Sequence, residues 1–391
     1  MLTKIAFTAC LIELFIGGSG QVFTIFGIPL RQIFFVFLLL SFFLDLILSN
    51  DSVRFSKHHF VVFLMIFGVF LFAFIGIMKG HDHNIIFNDV SPMLYFLMFF
   101  PFYFYMNKWD ISFTYIYRIL YVSSFIVSTF VIVSYFVIKT FFDGQGYSYG
   151  ILLESWTGRE ILWFRPGGFV FYPSLFYVLV TSVIIFGRVY DKSKVNFFEL
   201  LTLGLGILAI FLSMTKGLIL CLAIGFVLVL ASNKLSLKKF LLIAVALGLS
   251  FFISLSYLDF SRLTNLENDR GMENRYQVID ESLEVLEHSY LIGNGFGTEL
   301  PTKKQHQENS YMDILVEQGI FGLCLYLYLF YLCLVDFKFL THFKIAMIAS
   351  VLMSLTNPYV NNPIGIGFIL ILLTLNLRRR KSFSLSEENN A

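Results

Sequence analysis

The chain reads as a succession of apolar windows separated by short polar turns, each window near the about 20 residues needed to cross a ~30 Å hydrocarbon core. Twelve such windows can be drawn, at 5–26, 31–48, 60–78, 89–106, 114–138, 169–187, 197–213, 217–232, 239–257, 310–335, 343–357 and 361–377. The stretch 197–232 carries only Glu199 and Lys216 as charges, and as one helix it would be ~50 Å long. We therefore divide it at Ser213-Met-Thr-Lys-Gly217, read as a tight hairpin. The first window is interrupted by Gly17-Gly18-Ser19-Gly20, which either loosens the helix or lets a neighbour pack closely. Glu13 breaks its apolar region and further windows follow, which argues against a cleavable signal peptide. The expected fold is an all-α polytopic membrane protein of about 12 transmembrane helices, with 1–391 as one integral membrane domain.

Composition agrees. Apolar and aromatic residues make up 57% of the 391 positions and charged residues 14%, against the roughly 25% charge that a soluble surface requires. Mean hydropathy is +0.77. A soluble enzyme, a disordered chain and a disulfide scaffold are excluded. The four cysteines (Cys10, Cys221, Cys324, Cys333) lie in apolar runs with no CxxC pair, and read as small hydrophobes. A net charge of +2 gives no footprint for nucleic acid.

The location of the charges says more than their sum. With the N-terminus inside, inner segments hold 17 of the 28 basic residues, including Lys234, Lys238, Lys239 and the Arg378-Arg-Arg-Lys381 run of a cytoplasmic tail at 378–391. Both termini are then cytoplasmic, in keeping with an even number of spans. Two outer segments are too long for mere turns. One, 139–168, contains Trp156, Arg159, Glu160, Trp163 and Arg165; the other, 258–309, holds five Lys/Arg and ten Asp/Glu. Within the second, Tyr276, Ile279, Leu283 and Leu286 recur at helical spacing, which predicts an amphipathic helix over 273–289 that caps the outer mouth or lies along the interface. No internal repeat or matched pair of broken helices is visible.

Cationic and titratable residues gather at the outer ends of these windows. Arg165 opens Arg165-Pro-Gly-Gly-Phe-Val-Phe-Tyr-Pro173, where glycines permit close backbone approach; it is either a ligand-binding arginine or one that snorkels beside a Gly/Pro turn. Lys216 sits at a hairpin tip from which a lysine can snorkel, and Arg275 can pair with Glu273 as an ordinary surface residue. His306, Ser310, Asp313 and Glu317 fall at i, i+4, i+7 and i+11, on one helix face. Carboxyl groups at membrane depth are costly, so this face either lines an interior cavity or is a structural stripe bonded to other helices. Gly319 and Gly322 next to it allow close packing. There is no P-loop, dinucleotide fingerprint, HExxH or GxSxG, and no Asp-rich magnesium–diphosphate loop. Fixed cations without metal ligands suit an anionic group held by arginine forks, with neither metal nor cofactor.

Four elements in order then resemble the O-antigen polymerase and O-antigen ligase superfamily. His306-Gln-Glu-Asn-Ser-Tyr-Met-Asp-Ile-Leu-Val-Glu-Gln-Gly-Ile-Phe-Gly322 is similar to its histidine motif, in which a His–Asn–x–Tyr stretch leads into Glu-x-Gly-Ile-x-Gly. Asn274-Arg275-Tyr-Gln and Tyr290-Leu-Ile-Gly-Asn-Gly-Phe-Gly297 resemble its arginine stretch and glycine turn. Arg165 to Pro173 resembles its Arg-x-x-Gly-x-Phe-x-x-Pro element. Ser213 to Gly217 resembles its Ser-x-Ser-Arg-Gly turn with lysine in place of arginine, which keeps the charge and loses the fork.

The resemblance implies a metal-independent glycosyltransferase at the outer face of a bacterial inner membrane, with an undecaprenyl-diphosphate-linked glycan as donor. A polymerase of O-antigen or capsular repeat units is the first expectation, and a ligase onto lipid A–core the second. A lipid-linked oligosaccharide flippase, from another class, ranks below both because it would spread cations through the midplane. In the implied site His306 handles the proton of the attacking hydroxyl and Arg275 the departing diphosphate. Arg165, Lys216, Asn309, Tyr311 and Tyr276 bind diphosphate or sugar, and Trp156 and Trp163 either line a sugar groove or anchor at the interface. Binding of a chain-length regulator is left open.

Overall fold

The computed structural model describes residues 2–18, 22, 24–48, 56–157, 160–165, 167–191, 195–232, 270–287, 289–301, 309–335 and 341–388, and the side chains of these except 270–275 and 378–388. The expected window 239–257, the inner basic run Lys234–Lys239, Arg159 and His306 lie outside the described residues, as does the side chain of Arg275.

Among the described residues the chain is mostly helical. In order the helices are α1 (Leu2–Ile16), α2 (Leu30–Leu48), α3 (Lys57–Met78), α4 (His83–Met93), α5 (Phe99–Lys108), α6 (Phe113–Phe141) and α7 (Gly146–Thr157). They continue with α8 (Leu175–Tyr190), α9 (Phe197–Leu212), α10 (Lys216–Ser232), α11 (Arg270–Leu286), α12 (Ser310–Val335), α13 (Thr341–Met353) and α14 (Pro363–Glu388). Five helical stretches are long and apolar enough to cross a membrane: α2, α3, α4 to α5 through a 3₁₀ stretch at Leu94–Met98, α6 and α12. Five shorter apolar helices are α8, α9, α10, α13 and Pro363–Leu377 of α14. The chain is a polytopic, mostly helical membrane protein.

Several boundaries differ from expectation. The window 5–26 is not one helix: α1 ends at Ile16, only ~22 Å from its start. Gly18 turns the chain with φ 56°, and a two-residue hairpin follows, β1 (Thr24–Ile25) against β2 (Ile28–Pro29). The physical reason is a buried ion pair. Arg31 Nε donates to Glu13 Oε2 at 2.8 Å, and its Nη2 donates to the carbonyls of Gly18 at 3.1 Å and Glu13 at 3.4 Å. The guanidinium thus caps the end of α1 from the first turn of α2. The window 169–187 opens as strand β4 (Phe169–Phe171), paired with β3 (Trp163–Arg165), and α8 begins only after Pro173-Ser174. The all-α expectation is corrected by these two short hairpins. The window 343–357 is helical only to Met353, and the tail at 378–391 continues α14 as helix to Glu388. The split at Ser213–Gly217 holds: Met214 takes φ 48° between α9 and α10.

The chain divides into two compact units, residues 1–123, 278–340 and 350–391 in one, and 124–277 with 341–349 in the other. In the first, α1 packs on α2, α3 on α4 and α12, and α14 on α5 and the 3₁₀ stretch. Phe7, Phe72, Phe96, Phe99, Phe102 and Tyr326 are fully buried there. In the second, α8 lies between α9 and α10 and is buried along most of its length. Small residues allow that proximity: a Cβ on Gly206 would lie 2.8 Å from Ser182 Oγ, and one on Gly225 2.6 Å from Val183. The Ser124 and Thr181 hydroxyls bond at 2.6 Å between α6 and α8.

Removing one partner of a buried pair leaves an uncompensated charge, at a cost on the order of 3–5 kcal/mol. Arg31→Met should therefore lower the thermal transition of the detergent-purified protein sharply. The double change Glu13→Gln with Arg31→Met should regain much of it. A double variant no more stable than Arg31→Met would show that the pair does not account for the loss.

Candidate functional site

In the first unit, the glycine turn 290–297 is stitched into a broken helix. α12 loses helical geometry at Gly319, whose φ of 65° and ψ of −166° interrupt the ladder. The turn supplies the missing partners. Asn294 N–H donates to the Val316 carbonyl at 2.8 Å and Gly295 N–H to Glu317 at 2.8 Å, while Ile320 and Phe321 N–H donate to Tyr290 at 2.9 Å and Leu291 at 3.1 Å. Backbone lies on backbone, so side chains are excluded: a Cβ on Gly319 would sit 2.5 Å from the Leu291 carbonyl oxygen, and one on Gly295 2.3 Å from the Gly76 nitrogen on α3. Gly319 thus allows the close packing expected of it, against the glycine turn, and is also a helix break.

The same turn is tied to α3 and α4. Phe296 N–H donates to Phe72 O at 3.0 Å, and Gly297 N–H to Asp89 Oδ2 at 2.7 Å. Lys79 Nζ donates to Asn294 Oδ1 at 2.7 Å and more weakly to Gly293 O at 3.4 Å, and His81 Nδ1 meets Phe296 O at 2.8 Å. Desolvation against the turn pulls the Lys79 ammonium below its usual range. With Gly293 N–H donated to Ser289 O, all five amides from 293 to 297 are spent on the protein. The turn is therefore not a phosphate cradle of the kind that free glycine-loop amides build.

The histidine motif beyond His306 is fixed in a similar way. Asn309 Oδ1 accepts Tyr311 N–H at 3.0 Å and Met312 N–H at 3.4 Å, which makes Asn309 the N-cap of α12. Ser310 N–H donates to Ser354 O at 3.0 Å, and its hydroxyl to Asn357 O and Asn361 Oδ1, each at 3.3 Å. Tyr311 is half-buried and its hydroxyl donates to Val351 O at 2.7 Å. Buried Asn361 donates to Asp313 Oδ2 at 2.6 Å, and the carboxyl of Glu317 is buried near those of Asp313 and Asp89. The polar face of α12 is thus bonded in part to other helices and gathers three buried carboxyls. Asp89 was detectable as an ionisable residue opening the apolar window 89–106. Lys79, His81 and Asn361 lie outside any recognisable motif, and sequence reasoning missed them.

In the second unit, the described residues of 139–168 include a helix and a strand that pack on each other. Phe164 of β3 lies against α7, where a Cβ on Gly146 or Gly150 would come within 2.6 or 2.5 Å of its ring. Arg165 ends β3, half-buried, in register with Phe169 across a turn whose Gly167 and Gly168 both take positive φ. Phe169 stacks on Tyr135 with centroids 5.4 Å apart, and Leu212 and Met214 complete the cluster. Met214 belongs to the turn that leads into Lys216. One hydrophobic cluster therefore joins the two motifs that carry Arg165 and Lys216. Tyr276 is exposed on α11, as is Leu283, while Ser282 and Leu286 are buried, so the apolar face expected of this helix is only partly enclosed. Trp156 and Trp163 are both exposed.

Two glycines of the first unit test the stitched turn. Gly80 also has positive φ, with nothing within 4 Å of a Cβ, so Gly80→Ala should cost only the left-handed penalty of about 1–2 kcal/mol. Gly295→Ala drives a methyl into α3 and should leave no monodisperse protein in detergent gel filtration. Equal behaviour of the two variants would contradict this packing.

Residues 201–327 match the family model described as O-antigen ligase, a region that includes the Lys216 turn, Arg275, the glycine turn and the histidine motif. The chain is also 26% identical over 390 residues to the O-antigen polymerase of Shigella flexneri, covering 95% of this chain and 94% of that protein. Both matches support one placement of the chain, in the O-antigen polymerase and ligase superfamily.

Proposed function

We propose that this chain polymerises undecaprenyl-diphosphate-linked oligosaccharide repeat units of an O-antigen or capsular polysaccharide at the outer face of the inner membrane. The observation that carries the reading is the end-to-end similarity to an O-antigen polymerase, at 95% of the chain. The chain crosses the membrane about 12 times, with both termini cytoplasmic and the segments 139–168 and 258–309 outside. The growing glycan passes from its lipid diphosphate to a hydroxyl of the next lipid-linked unit. His306 takes the proton of that hydroxyl, and Arg275 offsets the charge that develops on the departing diphosphate. Arg165 and Lys216 add positive charge from motifs that share one hydrophobic cluster. Tyr276 is exposed and able to meet a sugar ring, whereas Asn309 and Tyr311 act mainly by fixing the start of α12 beside His306.

A ligase reading is favoured by the description of the family model over 201–327, and would move the same glycan onto lipid A–core. Deletion of the gene followed by electrophoresis of the lipopolysaccharide separates the readings. Loss of a polymerase leaves core bearing one repeat unit. Loss of a ligase leaves bare core with lipid-linked polymer accumulating, and loss of a flippase traps single units inside.

In complementation of that deletion, Arg275→Lys should fail almost as badly as Arg275→Ala, because a point charge does not replace a bidentate fork. The expected loss is about 10²–10³ in rate, on the order of 3–4 kcal/mol. His306→Ala should lose roughly 10²–10⁴. Long-chain glycan at wild-type level from either alanine variant, with normal membrane content by immunoblot, would remove that residue from the mechanism.

Arginine and lysine groups at the diphosphate take the place of a divalent ion, so transfer by the purified protein should persist in excess EDTA. Activity lost on chelation and regained with Mg²⁺ or Mn²⁺ would refute the cation-only site.

A further inference from the structure

The hairpin between α1 and α2 exposes an apolar tip. Its two-residue turn is Phe26-Gly27, with φ 52° and 78°, the geometry that asparagine, aspartate and glycine adopt at least cost. A phenylalanine there is held in a conformation that disfavours bulky side chains, and an observed outlier of this kind motivates a search for its use. Its ring makes no packing contact that would explain it: Phe26 is 100% exposed, and the flanking register pair Ile25 and Ile28 are 47% and 50% exposed. No atom approaches within 4 Å of a Cβ built on Gly27.

What covers this tip follows from the helix attached to it. α2 begins at Leu30, directly after β2, and its 19 residues span about 28 Å, close to the thickness of a ~30 Å hydrocarbon core. Its first turn therefore lies at one edge of that core. Only 17% of its apolar window is buried, against 44–50% in the other span-length helices among the described residues. Val36, Leu40, Phe43, Leu44 and Ile47 are exposed at helical spacing, a stripe with hydrocarbon as its only suitable solvent. At about 3.4 Å per residue the turn reaches less than ~10 Å beyond Pro29, so it stays within the headgroup and acyl boundary where interfacial elements settle. The apolar tip sits at the end of a helix whose exposed apolar stripe begins at Val36.

We propose that Ile25–Ile28 is a membrane finger, which seats the Phe26 ring and its two isoleucines among acyl chains at the leaflet boundary where α2 enters the bilayer. It fixes the depth of the α1–α2 pair, whose ends the buried Arg31–Glu13 pair already joins. The finger does not depend on the glycan-transfer reading, and it stands or falls separately.

The test uses the full-length protein with exposed Cys324 replaced by serine, the other free cysteines being buried. Phe26→Cys carries a nitroxide in vesicles of phosphatidylethanolamine and phosphatidylglycerol, with labels at Leu40 and Glu154 as lipid and water references. Power-saturation spectroscopy compares collision with oxygen, which partitions into acyl chains, and with a water-soluble nickel chelate. Oxygen should dominate several-fold at residue 26, as at residue 40. Because the label replaces the ring in question, Ile28→Cys is measured as well with Phe26 in place, and should give the same order. Dominant nickel collision at both positions would put the tip in water and overturn the proposal. Shielding from both reagents would put it against protein, and overturn it equally.

Discussion

The break in α12 at Gly319 is the constraint on which the first unit depends. Inside a membrane no water is at hand for backbone groups, and each one left unpaired costs several kcal/mol. Interrupting a helix there exposes the carbonyls of Val316 and Glu317 and the amides of Ile320 and Phe321. All four are taken up by residues 290–295 at 2.8–3.1 Å. Neither segment is tolerable without the other. The glycines at 76, 295 and 319 follow from that pairing, because main chain meets main chain with no space for a methyl group.

That constraint bears on the chemistry. The chain around His306 is held at both ends within one unit, at Gly297 by Asp89 and at Ser310 by Ser354 and Asn361. Lys79, His81 and Asp89 contribute side chains to the first anchorage, while Asn309 and Tyr311 contribute to the second. The glycines serve this fixation, and the amides of 293–297 are all spent on it.

Much of the fold was legible because hydrophobic length is a strong signal. The windows at 31–48, 60–78, 89–106, 114–138 and 310–335 fall on span-length helices, and the lysine turn divides 197–232 where expected. Errors fell where a long-range contact decides a boundary. α1 stops at Ile16 because Arg31, fifteen residues on, caps it from a different helix. Phe169–Phe171 is as apolar as any helix start, and only its pairing with β3 makes it a strand. For the site, spacing placed Ser310, Asp313 and Glu317 on one face correctly. Their partners, Asp89 and Asn361, come from windows far away in sequence, so whether that face met a cavity or other helices could not be read from spacing alone.

The fate of those carboxyls separates cost from purpose. An ionisable group at membrane depth is expensive, and that expense invites a catalytic reading. Here part of the expense is met locally, since Asp313 accepts from Asn361 and Asp89 receives the amide of Gly297, while Glu317 lies buried with both of these carboxyls near it. Such a network joins α4, α12, the glycine turn and the segment leading into α14, four parts of the chain that apolar packing alone would let slide past one another. Polar contacts are directional, and at a helix break they select one register where dispersion forces would accept several. The stripe thereby helps to fix where α12 begins.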